Sequence, residues 1–62
     1  MKLISCQSRG NRLVKIYEEE NLFTTAGLEI ISGGHRYWHT AVTIARLEAF
    51  EAAEEWLKGA NQ

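Results

Sequence analysis

His35 and His39 stand four residues apart in the run His35-Arg36-Tyr37-Trp38-His39, the densest cluster of reactive and recognition side chains in the chain. On a helix that spacing lets two imidazoles share a metal ion. The flanking Gly33-Gly34 and the aromatic neighbours instead favour an extended segment. On a strand the two rings stand about 13 Å apart, too far for one ion. No aspartate, no third histidine and no second cysteine supplies further ligands. The expectation is therefore no metal, with Trp38 in the core and the histidines at the rim.

Cys6 is the only cysteine, so no internal disulfide can form. It alternates with Ile4, which makes it a small buried hydrophobe rather than a nucleophile. There is no Gly-rich phosphate loop, no Ser-His-Asp set and no pair of aspartates. Gly33 and Gly34 lack the GxGxxG spacing and do not open a helix. No residue is assigned a catalytic role, no cofactor is expected, and the chain is read as a non-enzyme.

Two constellations can bind macromolecules. Arg36 and Tyr37, joined across a sheet by Arg9, Arg12 and Lys15, have the composition of a nucleic-acid surface, where aromatics stack bases and cations meet phosphates. Against this, the net charge is −1, whereas nucleic-acid-binding domains are normally basic. The charge is also polarised. Residues 1–17 carry Lys2, Arg9, Arg12 and Lys15 and no acid, and all eight glutamates follow Tyr17. Four of these, Glu48, Glu51, Glu54 and Glu55, lie on the C-terminal amphipathic segment. There Ala52 and Trp56 sit at one margin of a wide apolar arc. Trp56, Ala52, Glu48, Glu51 and Glu55 form the candidate partner-binding edge, because tryptophan is enriched among interface anchors; the alternative is that Trp56 caps the core of its own chain by packing against Tyr17 or Leu22.

The elements that must hold these residues follow from periodicity. Lys2–Ser8 alternates as a strand, Arg9-Gly10-Asn11-Arg12 is a turn, and Arg12–Glu18 alternates again, making a hairpin. Glu18-Glu19-Glu20-Asn21 reads as a solvated loop. Leu22–Thr25 is a short strand or part of that loop. Leu28–Ser32 is a strand, Gly33-Gly34 a second hairpin turn, and His35–Ile44 a β-branched and aromatic strand. Leu47–Lys58 is an amphipathic helix with Gly59 as its left-handed terminator. Trp38, Val42, Ala45, Ala49, Ala52 and Trp56 also keep helical spacing, so a longer helix from near Thr40 is the alternative. The fold expected is α+β: one domain over 1–62, a small antiparallel sheet of three to four strands with one C-terminal amphipathic helix packed on one face. The core expected is Ile4, Cys6, Val14, Ile16, Ile30, Trp38, Val42, Ile44, Phe50, Ala53 and Leu57.

Sixty-two residues bury only about 60% of their unfolded surface, which leaves a single domain marginal without disulfide, metal or partner. No apolar run reaches the roughly 18 residues of a membrane span, and Met1–Cys6 lacks the features of a signal peptide. With a lone thiol, the expected location is the cytoplasm. In architecture, a small sheet backed by a helix resembles the plant ethylene-responsive DNA-binding domain and the arm-binding domains of phage integrases. The ending Leu47-Glu48-Ala49-Phe50-Glu51-Ala52-Ala53-Glu54-Glu55-Trp56-Leu57 is similar to the endings of small bacterial and phage accessory proteins. That resemblance implies a module that modulates or inhibits a larger protein by binding it, and it carries no functional residue over. Three functions follow for test: a protein-binding module, a nucleic-acid-binding module using the sheet, and a homodimer. Dialysis against a chelator should leave the melting curve of the protein unchanged; a fall of many degrees that zinc reverses would instead assign a metal site.

Overall fold

The computed structural model describes residues 1–31 and 33–60, and of His35 and Tyr37 the backbone only. Four strands follow one another as a meander: β1 (Lys2–Arg9), β2 (Arg12–Glu19), β3 (Leu22–Ile31) and β4 (His35–Thr43), hydrogen-bonded in the order β1-β2-β3-β4 and all antiparallel. Helix α1 (Arg46–Lys58) returns over β2, β3 and β4. The fold is α+β, a four-stranded sheet with one C-terminal helix on one face. Its shortest dimension between Cα atoms is 14 Å, room for one sheet and one helix layer but not for a third.

Local sequence explains the turns. Gly10 takes φ 54° at the first central position of the β1–β2 turn, where a glycine suits a type II′ hairpin. Asn11 then ties this turn to β3, donating from its side chain to the Ile30 carbonyl at 2.9 Å. Glu18 and Glu19 belong to β2, and the expected four-residue loop shrinks to Glu20-Asn21. Both residues have positive φ, 48° and 66°, the pattern of a type I′ turn. The tight turn lets β3 run unbroken through Leu22–Thr25 and Gly27, ten residues in all. Residues 40–43 are strand, and the helix starts at Arg46, so the longer-helix alternative does not hold. Ser32 lies outside the described residues.

The core is small: Val14, Ile16, Phe23, Ala49, Ala53 and Leu57, with Ile4, Phe50 and Trp56 packed against it. Phe50 and Leu57 face the sheet as their spacing predicts. Five expected core residues are exposed instead: Cys6, Ile30, Trp38, Val42 and Ile44. For Cys6 the cause is a bulge. Leu3 pairs with Tyr17 but Ser5 pairs with Ile16, leaving Ile4 as an extra residue on β1. One inserted residue reverses every side chain beyond it. Ile4 reaches the core and Cys6 turns to the opposite face. For Ile30, Trp38 and Val42 the cause is strand parity. Gly27 and Thr25 face the helix, and their β4 partners are His39 and Ala41. Trp38 and Val42 must then point the other way.

Glu20 is a side chain with a Cβ in left-handed backbone, and it makes no described compensating contact. Glu20→Asn together with Asn21→Gly installs the preferred type I′ pair, and should stabilise the domain by about 1 kcal/mol, which raises Tm by roughly 4–8 °C at this size. Thermal melts of the double variant check this; an unchanged or lower Tm would show that the turn is not I′.

Candidate functional site

Each face of the sheet presents a distinct set of residues. The helix side is organised around Trp56. A Cβ built on Gly27 would lie 2.6, 2.7 and 2.9 Å from three atoms of the Trp56 indole, Cε2, Nε1 and Cδ2. Near-equal distances to three ring atoms put the Gly27 Cα against the flat of the ring. No other residue type leaves that space, which is the reason for a glycine in mid-strand. The indole Nε1 donates to the Leu13 carbonyl at 3.2 Å. The Arg12 guanidinium lies 4.0 Å from the ring centroid, and the His39 ring stacks at 5.5 Å with planes 12° apart. Arg12 also donates to Glu29 at 2.8 Å and, through Nη1, to the Trp56 carbonyl at 2.6 Å. The second bond adds to the one that this carbonyl accepts from the Gly59 N–H at 3.3 Å, at a helix C-terminus, where a cation is favoured. Gly59 is the C-cap, but at φ −83° it is not left-handed. A Cβ there would strike the Arg12 guanidinium, so its glycine makes room for arginine.

This corrects the expected partner-binding edge. Trp56 is half-buried, and its ring is engaged by β2, β3 and β4 of its own chain. Ala52 is half-buried beside it. Glu48, Glu51 and Glu55 are exposed on the outer side of the helix, and Glu55 approaches Lys58 at 3.9 Å. The five residues therefore do not form one exposed anchor. The nucleic-acid set also divides. Arg12 is committed to Glu29 and Trp56, and Arg9 reaches Glu54 at 3.8 Å on the helix side. Lys15 and Arg36 lie on the opposite face. The side chain of Tyr37, like that of His35, lies outside the described residues.

The opposite face has no layer over it. The pairing register sets its residues in three cross-sheet rows: Ser8-Leu13-Leu28-Trp38, Cys6-Lys15-Ala26-Thr40 and Leu3-Tyr17-Thr24-Val42. Lys15 is the one charge in these rows. Ile30 and Arg36 extend the face at one end, and Leu22 and Glu19 at the other. Trp38 is 62% exposed, Val42 60% and Ile30 52%. Ile44, just past the end of β4, is also exposed. The site is a surface rather than a cleft, for no cavity occurs among the described residues. Nor does any group of three or more His, Cys, Asp or Glu in metal-binding proximity occur among them. No helix among the described residues is long and apolar enough to cross a membrane. Alternation along β3 and β4 sets Leu22, Ala26, Leu28, Ile30, Trp38 and Val42 on one face, while Phe23 and Ile31 lie on the other. The sequence signal for the open face was this surplus: more apolar positions than one helix of 13 residues can cover.

Compared with protein-family models, curated proteins and solved structures, the chain matches none.

Gly27→Ala should lower stability by about 2 kcal/mol or more, roughly 10 °C in Tm, because the methyl cannot enter without lifting the indole. Adding Trp56→Leu should recover part of the loss. Two single variants whose effects simply add would show that residues 27 and 56 do not touch.

Proposed function

We propose that the chain is a non-catalytic protein-binding module of the cytoplasm, acting within or upon a larger assembly, and that its binding surface is the open face of the sheet. One observation carries this reading. The three rows of the face hold twelve residues with a single charge, and two of them, Trp38 and Val42, are more than half exposed. Contiguous apolar surface of this kind on a small domain marks an interaction site. Apolar burial is also the main driving force of protein association. The composition fits: a tryptophan and a tyrosine among aliphatics, with Lys15 the one charge in the middle and Arg36 and Glu19 at the ends.

A nucleic-acid ligand is the second reading, favoured by the presence of Lys15, Arg36, Tyr17 and Trp38 on one face. Two cations with one strand between them make a poor electrostatic footprint, however, and backbone contacts supply most nucleic-acid affinity. Arg9 and Arg12, which would enlarge the footprint, sit on the helix side.

A photocrosslinking residue replacing Trp38, introduced into the chain in its native cell, should give covalent adducts with protein. The same residue replacing Glu51 on the outer helix should give far fewer. Adducts with RNA or DNA from position 38, or equal yields from both positions, would overturn the assignment of the open face.

A further inference from the structure

The occupant of the open face is identified by what the domain lacks. Among the described residues it buries six apolar side chains, two of them alanines. Domains of this size are marginal and gain from a further source of stability, and Cys6 as the lone cysteine excludes an internal disulfide. A cover that arrived only occasionally would leave the fold marginal at all other times. The one protein present wherever the chain is made is the chain itself.

Size and relief agree. Strands of eight to ten residues at about 3.3 Å per residue, four abreast at about 4.8 Å, give a face of roughly 500 Å² in projection. Two such faces come to about 1,000 Å², and side-chain relief raises the accessible area toward the roughly 1,200 Å² of a small specific interface. A two-fold contact requires a patch that complements itself. The β3–β4 half offers a knob, Trp38, beside a low row, Ala26-Thr40, within the same surface. It also holds the most exposed apolar side chains of the face. Lys15 stands on β2 beside Ala26, one strand from that half, and its long stem has to carry the ammonium past the edge of the second copy to water.

We propose that the open sheet faces of two copies pack together, centred on β3 and β4, to give a four-layer helix–sheet–sheet–helix dimer. This rests on the reading of that face as a protein-binding surface and names its partner. Both helices then point outward, and Glu48, Glu51 and Glu55 of each copy remain available to the larger assembly.

Sedimentation equilibrium of the full chain should give a dimer with a Kd of about 1 μM or tighter, the scale of a modest interface. Trp38→Glu should weaken it at least about a hundredfold, as expected for a buried aromatic anchor replaced in both copies. Glu51→Lys on the outer helix should leave the dimer intact. Should Trp38→Glu not fold alone, the wild-type Tm provides the second readout, since it must rise with protein concentration for a dimer. A bismaleimide should also join Thr40→Cys chains in a Cys6→Ser background, and not Glu51→Cys chains. A wild type that stays monomeric at about 100 μM, roughly a hundredfold above that Kd, would refute the second copy, as would a dimer that Trp38→Glu leaves unchanged. Either result leaves the protein-binding reading standing if position 38 still crosslinks to another protein, and removes it if nucleic acid is crosslinked instead.

Discussion

The seating of Trp56 on Gly27 is the contact on which the other packing depends. A helix can approach a sheet closely only where both surfaces are low. Here the helix offers Ala49 and Ala53, and the sheet offers Gly27 and Thr25. The Thr25 hydroxyl donates to the Ala49 carbonyl at 3.3 Å, which brings side chain and helix backbone together without a buried unpaired group. Into this close approach the indole inserts flat, and it fixes the positions of three other groups. Arg12 lies over it, pairs with Glu29 and holds the carbonyl of residue 56. His39 stacks along it from β4. The indole N–H binds β2 through Leu13. One side chain thus links the helix to the three strands beneath it.

That contact also decides which face of the sheet is covered. Because Gly27 lies under the helix, Ala26 and Leu28 lie on the other side, and the register carries the same choice across to Trp38, Thr40 and Lys15. A slip of one residue would exchange the faces. The exposed Trp38 and Val42 are therefore not packing defects. They follow from a helix wide enough for one face and a sheet apolar on both. In soluble antiparallel sheets one face is commonly solvated and polar. This sheet departs from that rule on its open side, and the departure supports a second layer supplied from outside the chain.

The turns and the helix were legible because each depends on nearby residues. Gly10 and Gly33-Gly34 place hairpin turns, and the spacing of Ala49, Phe50, Ala53 and Leu57 marks one helix face. The Glu20-Asn21 turn was harder, since glutamate rarely adopts positive φ, and the three consecutive glutamates read as solvated loop. Cys6 was misplaced because a bulge leaves no signature in the alternation of six residues. Trp38 was misplaced because hydrophobicity says that a residue is buried by something, not which layer buries it. Trp56 was left open between a partner-binding edge and the core of its own chain for the converse reason. Its seat is Gly27, almost thirty residues away, and nothing in the spacing of the helix shows that a glycine waits beneath it.

The most direct measurement is the proton chemical shift of the two Gly27 α-hydrogens. With the Gly27 Cα against the flat of the indole, at least one of them lies in the shielding region of the ring. It should be displaced strongly upfield in the wild type and return to an ordinary glycine value in Trp56→Leu, while Gly10 and Gly34 keep their shifts in both. Ordinary shifts for Gly27 in the folded wild type would contradict the account: the helix would then be docked in another register, and the assignment of the covered and open faces would fall with it.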